Sequence, residues 1–243
     1  AGRAGSLDIR LVRPDVDPQG PTKISTAADR IARIYHDTKD NPYRDATGQT
    51  SPTPGALQIV FCDQSTPGPG WNVYDELRSG LTSRGVPAER IRFIHEAKND
   101  IEKGRLFAAA RAGQVSVLLG STAKMGVGTN VQARAVALHH LDCPWRPADL
   151  EQRDGRILRQ GNQNPEIQII RYAVEGSFDT ISYQIVERKQ RLITQIMRGN
   201  LDSRDVEDIR DAQLSIAETK AIASGDPLVL EKAQADKDVE RLQ

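Results

Sequence analysis

Three arginines fall within one ten-residue run, Gln152-Arg153-Asp154-Gly155-Arg156-Ile157-Leu158-Arg159-Gln160-Gly161. Read as a helix, the run sets Gln152, Arg156 and Arg159 four and three positions apart, so that they project from one face. A guanidinium is permanently charged and offers a planar fork of donors, and two of them on one face suit a polyphosphate. In phosphoryl transfer such a group neutralises the charge that grows on the transferring oxygens. Gly155 leaves the backbone beside Arg156 open to close approach. The same residues also suit a solvated helix with Glu151, Arg153 and Asp154 in surface pairs, because most charged faces meet water.

A second run, Ser121-Thr122-Ala123-Lys124-Met125-Gly126-Val127-Gly128-Thr129-Asn130, directly follows an apolar stretch. Gly126 and Gly128 permit a tight turn whose amides can face a ligand, and Ser121, Thr122 and Thr129 add short hydroxyl donors. An ordinary strand-to-helix turn accounts for the same glycines. The run is no phosphate loop: Lys124 precedes the glycines, and Gly-Lys-Ser/Thr occurs nowhere in the sequence. His139-His140-x-Asp142-Cys143 holds metal-ligand residue types, but neighbours on a strand point to opposite faces and make poor tetrahedral geometry, so a structural role is expected. Trp145, between prolines, is expected to pack in its turn rather than stack on a base. Asp63, just past a strand, is expected to cap a helix or turn. Arg188, Lys189, Arg191 and Arg198 fit phosphate contacts or a solvated helix face equally.

The elements that must position these residues alternate. Strands are expected at Leu57–Cys62, Ile91–Ile94, Val115–Leu119, Ala135–His139 and Ile167–Tyr172. Between and after them, helices are expected at 73–84, 100–112, 147–159 and 178–198. A helix from Ser25 or Thr26 to Tyr35, with Ala28, Ile31 and Ala32 at helical spacing, precedes the series. This order implies an α/β fold, a parallel sheet with helices on both faces, whose ligands bind beyond the carboxyl ends of the strands. Residues 1–24, rich in proline, read as a linker, 25–200 as the α/β lobe, and 201–243 as a charged helical C-terminal extension.

Bulk composition narrows the classes. Lys+Arg and Asp+Glu both number 33 in 243 residues, so any nucleic-acid contact must come from a local patch and not from net charge. No apolar run approaches the roughly 20 residues of a membrane span. Two cysteines, Cys62 and Cys143, are too few for a disulfide framework, and with no signal-like N-terminus a cytoplasmic setting is expected.

Taken in order, the strand at 57–62, the run 121–130, Asp142-Cys143-Pro144-Trp145-Arg146-Pro147 and the run 152–161 resemble the carboxy-terminal, second RecA-like lobe of superfamily 2 helicases, nearest the Swi/Snf-like translocase branch. The resemblance covers roughly 57–198. It places Ser121–Asn130 at motif V, which couples the nucleotide site to the nucleic-acid track, and Gln152–Gly161 at motif VI. It implies Arg159 and Arg156 as catalytic arginines, Arg159 being the finger. Gln152, Gly126 and Gly128 are implied at the nucleotide, and Ser121, Thr122, Thr129 and Asn130 in coupling to nucleic acid. Glu175-Gly176-Ser177-Phe178-Asp179-Thr180 matches the segment after the last core strand in this branch. Met125 stands where the family often has glycine, and Gln132-Ala133-Arg134 is not diagnostic. The implied activity is ATP-dependent translocation on DNA, double-stranded DNA in this branch. ATP and Mg2+ would be held mainly by an upstream RecA-like lobe outside this sequence, so the 243 residues alone are expected to be inactive. Ala217-Glu218-Thr219-Lys220-Ala221 and Ser224-Gly225-Asp226-Pro227-Leu228 resemble the tail of large phage and mobile-element helicase–DNA methyltransferase proteins, implying a methyltransferase domain as partner. A non-catalytic RecA-like module binding DNA or protein, and a self-contained nucleotide-dependent transferase using Gly126 and Gly128, are the other readings.

Overall fold

The computed structural model describes residues 2–125 and 130–197. A short helix, α1 (Gly2–Leu7), and a 3-10 turn at Ile9–Leu11 lead to α2 (Lys23–Thr38). Strand and helix then alternate: β1 (Leu57–Phe61), α3 (Val73–Thr82), β2 (Ile91–Phe93), α4 (Asp100–Arg111), β3 (Val117–Gly120), α5 (Thr122–Met125), β4 (Ala135–His140), α6 (Pro147–Asp154), β5 (Gln168–Arg171) and α7 (Phe178–Met197). All five strands are parallel in the order β2-β3-β1-β4-β5. This is the parallel α/β sheet that the alternation implies.

Side chains of β1 divide by the two-residue period of a strand. Leu57, Ile59 and Phe61 join a core with Leu106, Phe107 and Ala110 of α4, Met125 and Ile157. Val60 and Cys62 face the opposite core, with Ile24, Ile31, Tyr74, Leu77 and Leu81 of α2 and α3. Helices therefore cover both faces, and each large apolar side chain taken from water contributes about 1.5–3 kcal/mol. Polar residues mark the helix starts. Thr22 and Ser25 form a reciprocal capping box at α2, and Asn72 and Asn99 accept from the third backbone N–H of α3 and α4.

From β1 the chain runs through α3 to β2 on one side, and from β4 through α6 to β5 on the other. The adjacent β1 and β4 thus bracket the point where connections diverge, the usual ligand crevice of an open parallel sheet.

The described chain forms two compact units. The first holds Arg3–Pro144 and Ala148–Tyr172, with the whole sheet. The second holds Gly2, Trp145–Pro147 and the chain from Ala173; within it Lys189 Nζ lies 5.7 Å from the Trp145 ring centroid. No helix among the described residues is long and apolar enough to cross a membrane.

Several expectations are corrected. The stretch before residue 25, read as a linker, carries α1 and places Leu7, only 1% exposed, in the α2–α3 core. Asp8 caps the following turn and pairs with Arg10 Nε at 2.8 Å. One leucine among Gly, Ala and Ser gives no readable period. The α2 cap is Thr22, not Ser25 or Thr26. The helix expected to reach Arg159 ends at Asp154, just before Gly155, and the chain continues in tight turns. The helical extension expected over 201–243 lies outside the described residues.

Candidate functional site

Three strands end side by side, and one arginine joins their ends. Arg153, in the last turn of α6, has 0% exposure. Its Nε donates to Thr122 Oγ1 (2.7 Å), beyond β3, and its Nη1 to the Asp142 carbonyl (2.9 Å), beyond β4. Its Nη2 donates to Asp63 Oδ2 (2.8 Å), beyond β1, and to Asp142 Oδ1 (3.1 Å). The guanidinium carbon lies 5.1 Å from the centroid of the Phe61 ring. Sequence reasoning left Arg153 on a solvated face, and the structure overturns that: an unpaired guanidinium could not be buried so deeply, and here two carboxylates compensate it.

The carboxylates are themselves held. Asp63 accepts from the Thr122 backbone N–H (2.6 Å) and hydroxyl (2.9 Å), which ties the end of β1 to the start of α5, and it is also an ion-pair partner of Arg153. Asp142 Oδ2 accepts from the N–H groups of Asp63 and Gln64 (2.7 and 2.8 Å). Burial pushes the Asp63 carboxyl up, yet the Arg153 charge and the Thr122 hydrogen bonds hold it below its ordinary value. Asp142 is more deeply buried, and desolvation lifts it above its ordinary value despite Arg153. Burial works against the Arg153 charge, but the two carboxylates more than offset it and raise its pKa.

The network continues through the histidines. His140 Nδ1 lies 3.3 Å from Arg153 Nη1, and its Nε2 lies 2.7 Å from Asp154 Oδ1, whose other oxygen accepts from Arg171 (3.2 Å). His139, on the other face of β4, bonds Gln58 Oε1 through Nε2 (3.0 Å) and Tyr172 Oη through Nδ1 (2.9 Å). Gln58 Nε2 donates to the Ile31 carbonyl, so its Oε1 faces His139; Nε2 therefore carries the proton and Nδ1 accepts from Tyr172. Both histidines are thus engaged in hydrogen bonds within and beside the sheet. Among the described residues no group of three or more His, Cys, Asp or Glu side chains comes together as a metal site.

The remaining expected residues distribute as follows. Past α6 the backbone tightens, with Arg156 N–H donating to Arg153 O (2.9 Å) and Ile157 N–H to Asp154 O (3.1 Å). Arg153, Arg156 and Ile157 turn inward, at 0%, 5% and 1% exposure, whereas Gln152 and Arg159 are exposed. The single face drawn for Gln152, Arg156 and Arg159 is thus split, because Ile157 must reach the core beside Leu138. Desolvation lowers the pKa of Arg156, and repulsion from the nearby Arg159 lowers it further. Ser121 and Thr122 are buried, Thr122 bound into the Arg153 network. Asn130 is exposed, and its carbonyl accepts from Arg111 (3.1 Å). Gly126, Gly128 and Thr129 lie outside the described residues. Trp145, expected to pack, is 61% exposed. Asp63 and Asp142 were not read as one site with Arg153; their signal was a carboxylate directly after each of two apolar strands.

Residues 55–161 match the model of the family described as Helicase conserved C-terminal domain. The chain is 31% identical over 117 residues to Defense against restriction protein B of Escherichia phage P1, covering 47% of this chain and 5% of that protein. It is 36% identical over 104 residues to DNA repair protein RAD5A of Arabidopsis thaliana, covering 43% of this chain and 10% of that one. The matches therefore span a tenth or less of these relatives' lengths. Among solved structures, the C-terminal part of the Fun30 ATPase domain aligns with a TM-score of 0.48 at 16% identity, covering 72% of this chain and 48% of that one. Residues 55–161, which hold the whole sheet except β5, are thus similar to the helicase conserved C-terminal domain family and to segments of two proteins of which the chain spans a small part.

Proposed function

We propose that this lobe forms one wall of an ATP site in a DNA translocase and supplies Arg159 and Arg156 to the phosphates. The observation that carries the reading is the pair itself: Arg156 buried and desolvated, Arg159 exposed beside it, on a segment anchored by the fully buried Arg153. The residues fit a polyphosphate. ATP bound there would supply the transferable phosphoryl group. Arg159 would swing its fork onto oxygens whose charge grows in the transition state, and Arg156 would hold the ground-state phosphate. Gln152, exposed on α6, would contact the nucleotide or the opposing lobe. The sequence contains no Gly-x-x-x-x-Gly-Lys-Ser/Thr, so on this reading the phosphate cradle and Mg2+ ligands belong to an upstream lobe. Arg153 also binds Thr122, a member of the run Ser121–Asn130, and on this reading that run would carry nucleotide state to bound DNA. Two relatives support DNA as the track, one named a DNA repair protein and the other a defence against restriction.

The test is Arg159→Ala in the full-length polypeptide. DNA-stimulated ATP hydrolysis should fall by about 10³-fold or more while DNA affinity stays within a few-fold. Unchanged hydrolysis would return the lobe to the class of non-catalytic DNA- or protein-binding modules.

A further inference from the structure

The turns that carry Arg156 and Arg159 lie outside any helix, so something else must fix them. The segment leaves Arg153 at the carboxyl edge and descends to the amino end of β4, where three consecutive amides take hold. Asn162 Nδ2 donates to Ala135 O (2.9 Å), the first residue of β4, and to Ile157 O (3.3 Å), inside the arginine segment. Asn162 Oδ1 accepts from the backbone N–H (2.9 Å) and side-chain amide (3.0 Å) of Asn164. The Asn162 backbone N–H reaches Arg159 O at 3.4 Å, and Gln132 Nε2 donates to Gln160 O at 3.1 Å. Gln163 mimics a strand neighbour: its Oε1 accepts from Arg44 N–H (2.7 Å) and its Nε2 donates to Arg44 O (2.9 Å). Tyr43 Oη donates to Asn164 Oδ1 at 2.5 Å.

We propose that Asn162 is a positioning residue for Arg159 and Arg156: its carboxamide ties the Ile157 carbonyl to the start of β4 and so sets where the two guanidiniums stand. Gln163, Asn164 and Tyr43 brace it against the 41–55 loop. Both donors and both lone pairs of the Asn162 carboxamide are used, each on a different piece of backbone or side chain, which a loop held only by burial would not need. An arginine that acts on growing charge is sensitive to displacement, and a shift of about 1 Å can lower a rate by about 10²-fold. The inference rests on the ATP-site reading above, and its test separates the two.

Asn162→Asp keeps the shape and both acceptors but removes the Nδ2 donors. In the full-length polypeptide it should lower kcat for DNA-stimulated ATP hydrolysis about tenfold or more, with KM for ATP within twofold. Affinity for ADP–aluminium fluoride should fall in parallel while affinity for ADP holds. Without nucleotide, amides 155–161 should exchange with deuterium at least tenfold faster. Tyr43→Phe, which deletes one distant brace and opens no cavity, should shift each readout the same way by a smaller factor. If kcat is unchanged in Asn162→Asp while Arg159→Ala abolishes hydrolysis, the positioning role is wrong and the ATP site stands. If ADP affinity and kcat fall together in both variants, the clamp is merely structural and the proposal fails. If Arg159→Ala leaves hydrolysis intact, the ATP-site reading falls and the positioning role with it. Faster exchange at 155–161 would then show only that Asn162 holds the turn.

Discussion

At Arg153 the fully buried guanidinium is shared between Thr122, Asp142 and Asp63, with its charge set against two carboxylates, Asp142 buried and Asp63 partly exposed. Replacing it with methionine keeps the bulk but leaves Asp63 and Asp142 facing each other without a counter-charge. Breaking a buried pair from one side costs about 3–5 kcal/mol, and the cost falls on Asp142, whose charge would be neither hydrated nor paired, while Asp63 keeps some water. Arg153→Met should therefore lower the urea unfolding free energy at pH 7 by that amount, and a loss under about 1 kcal/mol would deny Arg153 its central place. His139 makes a different prediction. Burial pushes its pKa down to about 3, with smaller pushes from His140 and Arg30, whereas in the unfolded chain it sits near 6.5. Between these values the unfolded state takes up a proton that the folded state refuses, so stability falls as pH drops below about 6.5. The slope approaches about 1.4 kcal/mol per pH unit for this one group. His140 is also lowered, by burial, and adds to the fall. Unfolding curves at pH 7 and pH 5 should differ less in His139→Gln than in the parent, and equal differences would contradict a neutral His139.

Among the elements, β3 and α5 show how a small residue decides placement. A Cβ on Gly120 would stand 2.5 Å from Met125 Cγ and 2.7 Å from Ile94 Cγ2, so the first turn past β3 folds back onto the strand only because no side chain intervenes. Gly120→Ala should cost about 1–3 kcal/mol through overpacking. Combined with Met125→Ala, which removes the nearest clash, the losses should fall short of their sum, and strict additivity in thermal melts would rule out the contact. The strands were legible because their apolar runs are short, continuous and bounded by turn residues, and parallel pairing followed from the helices between them. Less legible were features set by tertiary context. Leu7 finds its core only once α2 and α3 are in place, and the end of α6 depends on Ile157 and Arg153 turning inward together. The three arginines were visible as a run of residues, though Arg156 and Arg159 are not on the single helical face that their spacing suggested. Their supports were not, because Asp63, Thr122 and Asp142 are scattered along the chain and meet only where β1, β3 and β4 end side by side.

Over the whole molecule the charges balance, and on the proposed reading the residues for catalysis are one-sided. Lys+Arg and Asp+Glu are equal at 33 and the sequence has no phosphate-loop pattern, so on the proposed reading this lobe would offer arginines to a nucleotide whose phosphates another lobe cradles. An arginine placed against growing charge multiplies a rate only when attacking water, metal and phosphates are already aligned. On the proposed reading, Arg159 would have nothing to act on without that alignment. The purified 243-residue chain should accordingly show no magnesium-dependent ATP hydrolysis above background. Calorimetry should find ATP binding weaker than about 1 mM, an affinity near −4 kcal/mol that a few exposed ion pairs can supply. Micromolar binding by the chain alone would identify a complete nucleotide pocket within it and favour a self-contained enzyme over half of a shared site. The same preparation, mixed with a separately folded upstream lobe, should recover DNA-stimulated hydrolysis that the Arg159→Ala chain cannot restore. Recovery by the substituted chain would show that the activity belongs to the other lobe and owes nothing to these arginines.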